Sequence, residues 1–216
     1  MSQTLNRIAI VGAGLSGLSC AAQLSRGGRE VRLFDKARGP GGRMSTRRVE
    51  TALGTVSFDH GAQYFTARGG SFRAEVDRWA ADGLAAPWPS AGPEAWVGVP
   101  GMNAPVKALA EGHSVTWNTV VESLARDGGA WRLKTPEGLS APFDAVVLAL
   151  PAEQAAALLQ SPDPGMAARA AASSTAPCWT VMAAFQSRLD LEVDILRDEG
   201  RLGWAARNSS KPGRQG

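Results

Sequence analysis

Residues 8–11 (IAIV) form an uninterrupted apolar run closed by Gly12, the pattern of a short strand buried on both faces of a parallel sheet. Leu15, Leu18, Cys20, Ala21 and Ala22 then give residues 15–25 an apolar helical face, and Gly27 with Gly28 supplies a stop. Residues 30–34 (EVRLF) read as a second strand. Strand, helix and strand in so short a span make a βαβ unit. After Asp35 the glycines and proline of positions 39–42 predict a loop. Phe72, Val76 and Trp79 predict an amphipathic helix over 71–83, and the Pro-, Ala- and Gly-rich stretch 85–101 predicts an irregular excursion.

Four short strand-like runs follow, at 114–118, 120–125, 130–135 and 139–143, with turn signals at Asp127-Gly128-Gly129 and Pro136-Glu137-Gly138. They predict an antiparallel meander. The apolar run 145–150 (AVVLAL) returns the chain to the sheet and ends at Pro151; helices are expected at 152–160 and 163–173, and strands at 177–186 and 201–208.

Composition narrows the function classes. A chain of 216 residues with 44% apolar content can bury one sizeable core, with room for an inserted lobe. A net charge of +3, with no basic stripe, argues against nucleic acid. Cys20 and Cys178 are far apart and form no CxxC pair, so neither a disulfide framework nor a zinc site is expected. His60 and His113 are too few and too separated for a metal centre, and none is expected. The start MSQTLNR carries no signal-like pattern and no apolar run reaches a membrane span; a cytoplasmic protein without membrane partners is the expectation.

Gly12-Ala13-Gly14-Leu15-Ser16-Gly17 fits G-x-G-x-x-G, follows a predicted strand and opens a predicted helix, while Asp35 ends the next strand. That is the context of a dinucleotide-binding turn. Gly12 makes the turn, Gly14 lets a pyrophosphate approach the backbone, Gly17 lets the helix pack on the sheet, and Asp35 accepts hydrogen bonds from a ribose. The unit alone suits NAD or FAD. Gly41-Gly42-Arg43-Met44, where an NAD module would continue into another βαβ crossover, favours FAD by offering a close-approach backbone and a guanidinium. No nucleophile and base pair is found, and a flavoenzyme does not require one, because the cofactor carries the redox chemistry.

Together with Asp35-Lys36 and Asp59-His60-Gly61-Ala62-Gln63-Tyr64-Phe65, these motifs resemble the renalase-type branch of the FAD-dependent amine oxidase superfamily. The resemblance implies an α/β fold: a Rossmann-like FAD-binding domain with an inserted β-meander (1–66 and 101–151) and a partial α+β substrate lobe (67–100 and 152–216). It implies cofactor contacts at Gly12, Gly14, Ser16, Gly17, Asp35, Lys36, Gly42, Arg43 and Met44, an adenine contact at Val121, and flavin-facing positions at Gln63 and Tyr64. It implies a dihydronicotinamide dinucleotide as substrate and molecular oxygen as acceptor, giving hydrogen peroxide, with an amine as the superfamily-level alternative. Family members are longer at the C-terminus, so the expectation is either a fragment or truncated product or a chain completed by another polypeptide, and a non-catalytic nucleotide-binding remnant stands as a reading of a different class. Trp96, Trp117, Trp131, Trp179 and Trp204 are read first as packing residues and second as an aromatic wall for a planar substrate; Arg47 and Arg48 are read as surface charges.

Overall fold

A computed structural model describes residues 6–52 and 54–214. In chain order the first half contains β1 (Arg7–Val11), α1 (Leu15–Arg26), β2 (Glu30–Phe34), β3 (Thr46–Thr51), β4 (Gly54–Asp59), β5 (Phe65–Thr66), α2 (Gly70–Ala81), β6 (Ala85–Pro87), β7 (Ala95–Gly98) and α3 (Ala104–Glu111). The second half contains β8 (Val115–Thr116), β9 (Ser123–Asp127), β10 (Ala130–Thr135), β11 (Gly138–Leu139), β12 (Ala145–Leu148), α4 (Ala152–Leu159), α5 (Pro164–Ala171), β13 (Ile195–Glu199) and β14 (Leu202–Ala206). The chain divides into two compact units, one holding the residues up to Gly42 together with Ala108–Cys178, the other Arg43–Lys107 with the residues from Trp179 onward.

The first unit is built on a parallel sheet of order β12-β1-β2-β8. After Arg7 its strand β1 is apolar because both faces are covered: Ile8, Ala9, Ile10 and Val11 are all buried. Ala9 and Val11 join Phe34, Val121, Leu124, Leu133 and Phe143 in one cluster, in which the Phe34 and Phe143 rings meet edge to face at 6.1 Å. α1 buries Gly17, Leu18 and Ala21. β9, β10 and β11 form the antiparallel meander. Its first turn leaves only Gly128 and Gly129 between the paired Asp127 and Ala130, and both have positive φ (57° and 88°), as a two-residue type I′ hairpin requires. The architecture is therefore α/β, with a Rossmann-like parallel sheet.

The second unit contains the β3-β4 and β13-β14 hairpins and a small sheet of order β5-β7-β6. α2 covers part of its core: Phe65, Phe72 and Trp79 make three mutual ring contacts of 5.9–6.1 Å.

Several elements depart from the sequence reading. Strand-like 114–118 shortens to β8 and leaves the meander; it pairs in parallel with β2, and the Leu33 and Asp35 N–H groups donate to Ser114 and Thr116 carbonyls. The stretch 85–101 is not wholly irregular, since β6 and β7 pair within it. Segment 177–186 forms no strand; its apolar Trp179, Val181 and Phe185 are 96%, 90% and 56% exposed. The β3-β4 hairpin, α3 and β13 carried too little periodicity to be anticipated.

Residues 43–66 and 101–107 lie in the second unit and 152–178 in the first. The first and last of these placements have a local cause. Residues 43 and 62 are tied by the Ala62 N–H donating to the Arg43 carbonyl at 2.8 Å, and Leu158 of α4 packs on the cluster around Phe34.

Candidate functional site

At the carboxyl end of β1 the chain must turn sharply between its two parallel neighbours, β2 and β12, the position at which open α/β sheets form a ligand crevice. Gly12 does so at φ +103°, its N–H donating to the Phe34 carbonyl at 2.8 Å. A Cβ there would lie 2.5 Å from the Ala149 carbonyl oxygen, and one on Gly17 would collide with the Gly12 carbonyl. Both glycines are demanded by the chain's own packing. Gly14 is different. Its φ of −78° and ψ of −175° suit any residue, and a Cβ built on it meets nothing within 4 Å. Among the described residues nothing requires glycine at 14, and the missing side chain leaves the backbone bare at the N-terminus of α1.

That N-terminus has no side-chain cap, so its N–H groups and the positive end of the helix dipole stand ready for an anion. Asp35, just beyond β2, accepts from the Ala13 N–H at 2.6 Å with one oxygen and from the Ala37 N–H at 2.8 Å with the other. A carboxylate has about four acceptor positions, so a pair of ribose hydroxyls can still be met. Gly42, at φ +54°, lies against Gly14, its Cβ position 3.4 Å from the Gly14 Cα. Ser16 and Lys36 are exposed, and the Lys36 Nζ donates to Gln154 Oε1 at 3.1 Å. The Val121 side chain is committed to the core cluster, which leaves its backbone as the part able to meet a ligand.

The remaining candidates belong to the second unit. Arg43 is exposed and Met44 buried in a short 3-10 turn, Gly42–Met44. The Arg43 carbonyl takes the space a Gly61 side chain would need, which explains that glycine. His60 Nε2 lies 3.3 Å from Ser45 Oγ, while its Nδ1 is buried with no hydrogen-bond partner among the described residues. Tyr64 packs edgewise on Trp88, ring centres 6.3 Å apart. Gln63 is held at both ends of its amide. Its Nε2 donates to the carbonyls of Asp59 and, at 3.3 Å, Gly61, and its Oε1 accepts from Lys211 Nζ at 2.9 Å.

Behind Gln63 lies an ion cluster that sequence reasoning missed. Asp59 Oδ1 accepts from Thr46 Oγ1 at 2.7 Å and the Met102 N–H at 3.0 Å. Its Oδ2 accepts from Lys211 Nζ at 3.2 Å and from Arg214 Nη2 and Nε at 2.6 and 3.2 Å. The three side chains are 0%, 0% and 2% exposed. Burial would raise the Asp59 carboxyl, but the Arg214 hydrogen bond, the Met102 N–H and the charges of Arg214 and Lys211 together hold it below the ordinary value. Burial lowers the Lys211 pKa, as does the Arg214 charge, against the opposing pull of Asp59. Lys211 and Arg214 sit in the tail SSKPGRQG, which carries no motif or periodicity; only folding brings them to a carboxylate more than 150 positions away.

The fold and the glycine turn define a dinucleotide-binding protein of the Rossmann class, and residues 10–79 match the NAD(P)-binding Rossmann-like domain. Residues 89–213, more than half of the chain, match the flavin containing amine oxidoreductase family, and the chain belongs to that family. Its cofactor is FAD. Among curated proteins it is similar to the zeta-carotene-forming phytoene desaturase of Myxococcus xanthus, 48% identical over 44 residues (20% of this chain, 8% of the relative), and to the hydroxyneurosporene desaturase of Cereibacter sphaeroides, 46% over 46 residues (21% and 9%). Among solved structures it shares its fold with a CLA-producing fatty acid isomerase from P. acnes (TM-score 0.55, 14% identity) and with putrescine oxidase bound to putrescine (TM-score 0.52, 14% identity); 71% of this chain covers 60% of each. The chain thus spans less than two thirds of these proteins. No helix among the described residues is long and apolar enough to cross a membrane.

Proposed function

We propose that this chain is the FAD-binding part of an oxidase of the renalase type, acting on a dihydronicotinamide dinucleotide with molecular oxygen as the final acceptor. The observation that carries the cofactor reading is Gly14: a bare backbone beside an uncapped helix N-terminus, at a position where the chain's own packing has no use for glycine. A pyrophosphate would approach the backbone there. Gly12, Gly14, Ser16 and Gly17 would form its cradle, Asp35 would hold the adenosine ribose, Lys36 would lie nearby as an exposed cation, and the backbone at Val121 would meet the adenine. Gly42, Arg43 and Met44 would contact the cofactor from the following loop, with Gln63 and Tyr64 facing the flavin.

Bound FAD would supply the two-electron chemistry, accepting a hydride equivalent at N5 and passing electrons to oxygen to give hydrogen peroxide. The residues of this chain would bind and orient. Gln63 is suited to orientation because both ends of its amide are already fixed, and Tyr64 because Trp88 buttresses its ring; neither is placed as a base.

Amine oxidation is the second reading, favoured by the family match over residues 89–213. The two are separated by mixing the FAD-loaded chain anaerobically with dihydronicotinamide dinucleotides or with primary and secondary amines and following the visible flavin band. Rapid bleaching by the first class alone supports the proposal. Bleaching by amines alone replaces it with the second reading, and bleaching by neither supports a non-catalytic binding role for this chain.

A further inference from the structure

The orienting role proposed for Gln63 leaves open what decides which way its amide points. An amide can exchange its oxygen and nitrogen by a half-turn at almost no cost in shape, so a neighbour of fixed polarity must choose. Three neighbours of fixed polarity share that choice: the Asp59 and Gly61 carbonyls, which only accept and take the amide nitrogen, and Lys211, whose ammonium only donates and is the one partner of the Gln63 oxygen given among the described residues, at 2.9 Å.

We propose that Lys211 is a positioning residue: it anchors the oxygen end of the Gln63 amide and so holds the polar edge that residues 61–64 present to the flavin. The proposal rests on the flavin-facing place given to Gln63 above. Its other support is that Asp59 has no need of Lys211. Two N–H groups of Arg214, the Thr46 hydroxyl and the Met102 N–H already satisfy the carboxylate. Lys211 adds a second buried cation to one buried anion, an arrangement that costs desolvation free energy and is a poor device for stability alone. What the ammonium gains there is Gln63 on one side and the face of Trp88, 5.2 Å from Nζ, on another. Trp88 is the ring on which Tyr64 packs, so one side chain touches the supports of both flavin-facing candidates.

The test uses the full chain loaded with FAD and the variant Lys211→Met, which keeps the length and removes charge and donor. The expected protein folds, binds FAD, shows a shifted flavin absorption band and midpoint potential, and loses about tenfold or more in limiting anaerobic reduction rate at an unchanged half-saturating concentration of dihydronicotinamide. Gln63→Met should reproduce these changes, and Lys211→Met should add nothing in that background. A Lys211→Met protein with altered thermal stability but wild-type band, potential and rate overturns the proposal, as do additive effects of the two substitutions. Should Lys211→Met fail to fold, Gln63→Met decides, since a wild-type band and rate in that variant exclude any action through Gln63. A wild-type chain that retains no flavin overturns the functional reading beneath the proposal, and this is seen before any variant is compared.

Discussion

Three glycines of one motif have three different physical warrants. Gly12 and Gly17 are required by backbone atoms that would otherwise be struck, and Gly12 also by its positive φ; Gly14 is required by nothing in the chain. Gly17→Ala should therefore destabilise the fold by about 1–3 kcal/mol, the usual range for overpacking, read as a lower denaturant midpoint with or without FAD. Gly14→Val should leave the denaturant midpoint of the apoprotein within about 1 kcal/mol, since a β-branched residue at the helix entrance is only mildly unfavourable. It should nevertheless weaken FAD binding, measured by fluorescence titration. A Gly14→Val protein with wild-type FAD affinity would show that the bare backbone is not the phosphate cradle.

The buried ions make a second residue-scale prediction, in which acid and alkali act differently. The folded-state pKa of Asp59 is depressed, so its contribution to stability is present above the unfolded carboxyl value and lost as pH falls through the lower folded one. The folded-state pKa of Lys211 is also depressed. The unfolded chain then holds a proton the folded chain has released, and this lysine's contribution makes stability rise as pH climbs from the folded toward the unfolded lysine value. Lys211→Met should abolish that alkaline component, and Asp59→Asn should flatten the acid limb. Urea midpoints measured across pH test both, and an unchanged alkaline slope in Lys211→Met would exclude the assignment.

At the scale of elements, the parts legible in the sequence were those with strong local signals. The apolar run of β1, the helical stripe of α1 and the paired glycines 128 and 129 each dictate structure without distant help. β8 could not be assigned to its sheet from pattern, because a two-residue strand has no period and its partner β2 lies about eighty positions earlier. β3 and β4 set only Val49, Val56 and Phe58 among charged and polar residues such as Arg47, Arg48 and Glu50, and the Val56–Phe58 alternation is too short to announce the hairpin. The candidate site divides the same way. The glycine turn and Asp35 are local and were read; the Asp59, Lys211 and Arg214 cluster is made by tertiary contact and was not. The cap of α5 is a readable local device, Asp163 Oδ1 accepting the Met166 N–H at 2.9 Å. Asp163→Ala should cost about 1 kcal/mol, measurable as a shift in the urea midpoint.

At the scale of the whole molecule, the apolar segment 177–186 is the anomaly. Its sequence suits a strand, yet it forms none, and the side chains of Trp179, Val181 and Phe185 are exposed. Backbone of this kind is the first that a protease can reach. Chymotrypsin at low ratio should cut at Trp179 or Phe185 well before the buried Trp79 and Trp88, as read by mass spectrometry of the first fragments; early cleavage at Trp88 would contradict the described packing.

If the glycine turn of this chain and Asp35 hold FAD, a visible spectrum of the loaded protein shows it. The 216-residue protein is loaded with FAD, freed of unbound cofactor by gel filtration and scanned beside Gly14→Val treated in the same way. A structured flavin band at close to one FAD per wild-type chain and a much weaker band for the variant are expected. A colourless wild-type protein that is folded by circular dichroism would contradict FAD binding at this turn.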